Sequence, residues 1–256
     1  MGLLDGKIIL VTGASMGIGA ATAVTCAREG ATVVTCARNE AKGAAVIDGI
    51  VAAGGAGRFV RADISDDAEI DHLFEVIMSE YGRLDGAVNN AAVDAPRARA
   101  PDVSMSDFDA VMRTNLRGTF YCLRHELRIM REQAAGSVVT ITSVAGVDGI
   151  DASLVYASSK HALTGMTKCA AIDMGQHGVR VNCIAPGATR TEMMGEYLSQ
   201  FPDAMNVLMK KIPLLRVASP EEMADSIVWL LSDRSSFITG QTILVDGGMM
   251  AGRAYA

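Results

Sequence analysis

A chain of 256 residues can bury a sizeable core, and a composition that is half apolar, one-fifth charged and carries only 6 prolines excludes a disordered, collagenous or coiled-coil protein. Lys and Arg number 23 against 29 Asp and Glu, a formal charge of -6, so no broad positive field is available to hold a nucleic-acid backbone. Cys26, Cys36, Cys122, Cys169 and Cys183 show neither CxxC spacing nor a histidine cluster beside them and read as reduced core thiols, and no metal site is expected.

The start, MGLLDGKIILVTG, lacks a basic region followed by a long apolar run, and no stretch of about 18 apolar residues is present to cross a bilayer. A cytoplasmic protein without a membrane partner is therefore expected. From Lys7 onward, short runs rich in Val and Ile alternate with longer Ala-rich segments of helical character. The runs fall at 7–12, 32–35, 58–62, 86–89, 136–143, 180–184 and 241–245. Runs such as KIILVT and SVVTIT are apolar on both faces, as parallel strands covered on each side by helices require. The alternation continues to the last strand without a linker or a change of composition, which predicts an α/β fold: one domain over 1–256 built on a doubly wound parallel β-sheet flanked by helices.

The first strand runs directly into a glycine turn, Gly13, Gly17 and Gly19 in GxxxGxG spacing around Ser15, Met16 and Ile18, and then into an Ala-rich helix. Glycines permit a tight turn and close approach of the backbone, and the helix N-terminus offers free N–H groups to a pyrophosphate. Such a site usually carries an acidic side chain about twenty residues on when it prefers NAD(H). Here the second strand ends Cys36-Ala37-Arg38, and the first acid is Glu40. A guanidinium that could pair with a 2'-phosphate stands where a carboxylate would repel one, so NADP(H) is favoured over NAD(H); Arg38 as a solvated loop residue is the alternative.

Further along, Tyr156 and Lys160 lie four residues apart, on one face of a helix. A nearby ammonium favours the phenolate and is expected to lower the tyrosine pKa toward a useful range for proton transfer. Ser143, thirteen residues earlier, ends the SVVTITS run at the edge of the sheet where ligands bind. After Pro186-Gly187 the rhythm breaks. Residues 188–213 carry Met193, Met194, Tyr197, Leu208 and other apolar residues with few β-branched side chains, which predicts a helical insertion, either packed as core or serving as an adaptable apolar lid.

In order and spacing, TGASMGIG at 12–19, Asp63-Ile64, Asn89-Asn90-Ala91-Ala92, Asn115, Ser143, the Tyr156 and Lys160 pair, Pro186-Gly187 with Thr189 and Thr191, and Asp246-Gly247-Gly248 resemble the classical short-chain dehydrogenase/reductase family over nearly the whole chain. The resemblance implies a Rossmann-type fold and an NAD(P)(H)-dependent oxidoreductase that interconverts a secondary alcohol and a ketone. It implies that Tyr156 is the acid/base, that Ser143 hydrogen-bonds the substrate oxygen, and that Lys160 binds the nicotinamide ribose and lowers the Tyr156 pKa. Asn115 would anchor a water in the proton relay. Gly13, Ser15, Met16, Gly17, Ile18, Gly19, Arg38, Asp63, Ile64, Asn90, Ala91, Pro186, Gly187, Thr189 and Thr191 would surround the cofactor, with Asp63 and Ile64 at the adenine and Asn90 near a ribose. One departure is Ala92, where the family's NNAG has glycine. The resemblance also implies a homotetramer that uses helices over 106–132 and 153–176 and the last strand, with the tail 249–256 reaching across an interface.

The substrate pocket is expected between 143–154 and the 188–213 insertion, lined by Val144, Val147, Ile150, Leu154, Met193, Met194 and Tyr197. That lining suits an apolar or alicyclic small molecule. Two alternatives stay open: a 3-oxoacyl group on a carrier protein docked near Arg97 and Arg99, and a non-catalytic dinucleotide sensor.

Overall fold

Seven parallel strands are hydrogen-bonded in the order β3-β2-β1-β4-β5-β6-β7 in the computed structural model, which describes residues 2–252. In chain order these are β1 (Ile8–Thr12), β2 (Thr32–Ala37), β3 (Ala56–Arg61), β4 (Gly86–Asn89), β5 (Gly136–Ile141), β6 (Val179–Pro186) and β7 (Thr242–Val245). Helices α1 (Gly17–Arg28), α2 (Glu40–Ala52), α3 (Asp67–Tyr81), α4 (Met105–Val111), α5 (Thr119–Gln133), α6 (Leu154–Met174), α7 (Glu192–Gln200), α8 (Ala204–Lys211) and α9 (Pro220–Leu231) connect them.

Side chains alternate across each strand, so the apolar runs feed two cores at once. Leu10 and Val34 face a layer with Ile70, Leu73, Phe74, Leu123 and Met130, contributed by α3 and α5. Their neighbours Ile9, Val11 and Val33 face the opposite layer with Ala23, Cys26, Ile47, Ile50, Ile227 and Leu231, contributed by α1, α2 and α9. Local signals start several helices: Asp66 accepts from the backbone of Ala68 and Glu69 ahead of α3, and Ser219 and Glu222 form a capping box around Pro220 at α9.

The segment read as one helix over 106–132 is interrupted. A π-helical turn, Met112–Gly118, separates α4 from α5, and no change in hydrophobic period announces it. Gly118 lies so close to Ile64 that a Cβ there would collide with the Ile64 carbonyl. On α5, Glu126 is fully buried and accepts from Asn89 Nδ2 at 2.9 Å. The cysteines are all free, and Cys26, Cys36, Cys122 and Cys183 are buried as core thiols; Cys169 departs from that expectation, because its position on α6 faces outward. The tail expectation falls partly on residues 253–256, outside the described residues, while Met249 lines the main cleft.

Candidate active site

The strand order reverses between β2-β1 and β4, and in such sheets the crevice beyond the strand C-termini at that point is where ligands bind. A cleft of about 760 Å³ opens there. The glycine turn forms one wall. Gly13 and Gly17 have φ of 66° and 55°, and a Cβ on Gly13 would stand 2.7 Å from Ala91 Cα. Met16, the residue before α1, makes no side-chain hydrogen bond to the helix, so the first-turn N–H groups have no capping side chain. A turn with glycine at the positions of positive φ and closest backbone approach, at an uncapped helix start, fits a dinucleotide pyrophosphate.

Asn90 braces this turn from behind: its Nδ2 donates to the carbonyls of Thr12 at 3.0 Å and Gly13 at 3.1 Å. Its side-chain N–H groups are thus engaged with the turn. Gly19 lies off the cleft, and a Cβ there would strike Gly13 and Asn90, so its part is to let α1 approach the turn. Ser15, Met16, Ile18, Arg38, Asp63, Ile64, Ala91, Pro186, Gly187, Thr189 and Thr191 all border the cleft. Asp63 Oδ1 accepts from Ser65 N at 2.9 Å, and Thr191 Oγ1 accepts from Met194 N at 3.3 Å and so starts α7.

Ser143, Tyr156 and Lys160 meet on the same cleft. Ser143 ends the turn after β5 and its Oγ accepts from Ala145 N at 3.1 Å, which leaves its hydrogen to donate outward. Tyr156 and Lys160 stand one turn apart on α6, with the ammonium 5.6 Å from the phenol ring centre. The expected lowering of the Tyr156 pKa is not what the geometry yields. Loss of water around the phenol, then the Asp94 carboxylate, push it up to about 12, against the Ser143 hydroxyl and the Arg97 charge. Lys160 Nζ donates to the Ile141 carbonyl at 2.8 Å, and burial brings its own pKa down to about 8. Spacing revealed that the two side chains share a face; which of charge and desolvation wins depends on neighbours from other elements.

Asn115 sits in the π-helical turn, fully buried and off the cleft wall. Its amide exchanges two hydrogen bonds with the Val93 backbone, both 2.8 Å, and donates to Ser159 Oγ at 3.2 Å. It thereby fastens the loop after β4 to α6. That loop brings two residues the sequence reading did not place in the site. Asp94 lines the cleft, and Arg97, expected on the surface, turns into it. Arg99 pairs with Asp151 on the outside, so the two arginines do not form one exposed patch. Val144, Ile150, Met193, Met194, Tyr197 and Leu208 also line the cleft, whereas Val147 and Leu154 are exposed away from it.

A family model described as "Enoyl-(Acyl carrier protein) reductase" matches residues 13–250. The chain belongs to the short-chain dehydrogenase/reductase family. This short-chain dehydrogenase/reductase is 43% identical over 250 residues to an A-factor type gamma-butyrolactone 1'-reductase of Streptomyces virginiae, covering 96% of each chain. It is 39% identical over 251 residues to a 2,5-dichloro-2,5-cyclohexadiene-1,4-diol dehydrogenase of Sphingobium indicum, covering 97% of this chain and 98% of that one. The crystal structure of a gluconate 5-dehydrogenase from Burkholderia cenocepacia in complex with NADP and tartrate superimposes with a TM-score of 0.92 at 30% identity, covering 98% and 97% of the two chains. The protein is thus an oxidoreductase acting on CH–OH groups and the corresponding ketones, with a nicotinamide dinucleotide as its cofactor. Among the described residues no helix is long and apolar enough to cross a membrane, and no cluster of three or more His, Cys, Asp or Glu is placed to hold a metal.

Proposed function

We propose that this chain is a single-domain enzyme that reduces a ketone on an apolar or alicyclic small molecule to a secondary alcohol, and runs the reverse oxidation, with NADP(H) preferred over NAD(H). The observation that carries the reading is the convergence of Ser143, Tyr156 and Lys160 on the cleft that the glycine turn borders. The bound nicotinamide supplies the hydride in reduction and takes it in oxidation. Ser143, held by Ala145 N, donates its hydrogen to the carbonyl oxygen and fixes its place. Tyr156 keeps its proton to well above neutral pH, which suits a group that must donate it to the forming alkoxide. Lys160 uses one hydrogen on Ile141 and has two left for the nicotinamide ribose and for returning a proton toward Tyr156, while Asn115 acts from behind the cleft, holding α6 through Ser159 Oγ.

Arg38 supports the NADP(H) preference. It borders the cleft beyond β2 with Ala37 and Asn39, and the first acid, Glu40, already belongs to α2. Apolar residues of α7 and α8 support the substrate class, and the butyrolactone and cyclohexadiene-diol in the relatives' names agree with a ring-bearing substrate. Of the two arginines in the carrier-linked alternative, Arg97 faces the cleft and only Arg99 stands on the outer surface, in an exposed pair with Asp151.

The test follows nicotinamide absorbance with NADPH and NADH against cyclic ketones. Tyr156→Phe is expected to lose about 10²- to 10⁴-fold in kcat while still binding NADPH. Arg38→Ala is expected to cut the NADPH preference by about 10- to 100-fold. An active Tyr156→Phe enzyme would sink the catalytic assignment, and an NADH preference indifferent to Arg38 would sink the cofactor choice.

A further inference from the structure

Arg97 is an unusual presence in a cleft with apolar walls. Its side chain is only 22% exposed, its guanidinium lies over the Tyr197 ring at 5.0 Å, and the Asp94 carboxylate is 3.7 Å away. That separation is too long for a hydrogen bond, and among the described residues the guanidinium makes none. Donors on a mostly buried guanidinium are ordinarily engaged, as those of Arg180 are on Ser235 Oγ at 2.9 Å and the Ser232 carbonyl at 3.0 Å. Beside Arg97 stands a buried orphan. Ser153, 6% exposed and also on the cleft wall, has a buried hydroxyl with no partner. The two are held together by the backbone: Ala98 and Ser153 form an isolated bridge, and Ala98 N donates to Ala152 O at 3.2 Å. Ser153 is three residues before Tyr156, so this polar corner adjoins the acid/base.

We propose that Arg97 and Ser153 are specificity-determining residues that bind a second, uncharged oxygen, a carbonyl or hydroxyl, carried by the ketone substrate. The inference rests on the dehydrogenase reading and deepens it. The charge arithmetic selects an uncharged oxygen: Arg97 and Asp94 together are neutral, and a substrate carboxylate placed on Arg97 would lie beside the Asp94 carboxylate. A carbonyl takes N–H and O–H donors from Arg97 and Ser153 without that repulsion, and a hydroxyl can in addition donate to Asp94. The apolar side chains of Met193, Met194, Ile150 and Leu208 then cover the rest of the molecule. A corner that combines an unpaired buried hydroxyl on Ser153 with guanidinium donors on Arg97 that no group among the described residues accepts discriminates by what it loses when the matching oxygen is absent.

Cyclohexane-1,4-dione and cyclohexanone share a ring and differ by one oxygen. Two readouts are compared: kcat/KM with NADPH for wild type, Arg97→Met, Arg97→Lys and Ser153→Ala, and calorimetric binding of each ketone to the NADPH complex of Tyr156→Phe with and without Arg97→Met. The dione is expected to be preferred by about 10- to 100-fold in both readouts. Arg97→Met is expected to erase most of that ratio, Ser153→Ala part of it, and Arg97→Lys to recover a share. The same dione-to-ketone ratio in wild type and Arg97→Met, or tighter binding of 4-oxocyclohexane-1-carboxylate than of the dione, would overturn the proposal. Turnover that depends on Tyr156 without discrimination removes the anchor and leaves the dehydrogenase standing. Binding discrimination that follows Arg97 without any turnover does the reverse.

Discussion

Glu126 is a carboxyl buried with a single hydrogen bond, and its second oxygen and Asn89 Oδ1 have no donor among the described residues. A proton on the acid supplies a donor that the carboxylate lacks. Burial pushes the Glu126 pKa from 4.5 up to about 8, against the hydrogen bond from Asn89, while Cys36 and Cys122 add no opposite charge. Because the folded pKa is raised, the native state holds a proton between those values that the unfolded chain has released. This contribution is complete below pH 4.5 and is lost as pH rises toward 8, at up to about 1.4 kcal/mol per pH unit. Glu126→Gln keeps a donor and does not titrate, so its urea midpoint is expected to overtake that of wild type on going from about pH 6 to about pH 8.5. Parallel pH dependence in the two proteins would show that Glu126 is ionised throughout. Little of this was legible beforehand, because nothing in LRHELRIM distinguishes a buried Glu126 from a solvated one. Tyr156, Lys160 and Ser143 were legible, since their chemistry shows in spacing; Asp94 and Arg97 were not, since an irregular loop carries them inward.

Among elements, the strands were read within a few residues because apolar runs bounded by glycines leave few alternatives. The π-helical turn escaped because its side chains keep a helical pattern while the backbone pairing changes. The glycine turn was legible in type, and the structure adds why each glycine is needed. Gly13→Ala meets both a positive φ and the Ala91 backbone. It is expected to weaken NADPH binding by about tenfold or more and to cost about 1–3 kcal/mol in stability, read by fluorescence titration and urea unfolding. An unchanged NADPH affinity would mean that the turn does not cradle the dinucleotide.

For the whole molecule, the order β3-β2-β1-β4-β5-β6-β7 leaves β7 on an edge, with Leu244 42% exposed and Phe237 nearby fully exposed. Met105, Phe108 and Phe120 are likewise exposed on α4 and α5, and Ile172 on α6. Exposed apolar faces with an open edge strand are what self-association covers. The doubly wound sheet was legible from alternation; which faces stay uncovered depends on how helices pack. Wild type is expected to sediment as the tetramer that the family resemblance implies, and Leu244→Lys as a smaller species, whereas identical sedimentation would place the interface elsewhere. The distribution of sulfur has a practical side. Burial raises the pKa of Cys26 and Cys36 to about 12 and also raises those of Cys122 and Cys183, so these four remain poor nucleophiles. Thiol chemistry on the single chain therefore meets one exposed sulfur, Cys169, three residues from the exposed Ile172 on α6, and the rate at which a thiol dye attaches there reports whether self-association covers that face.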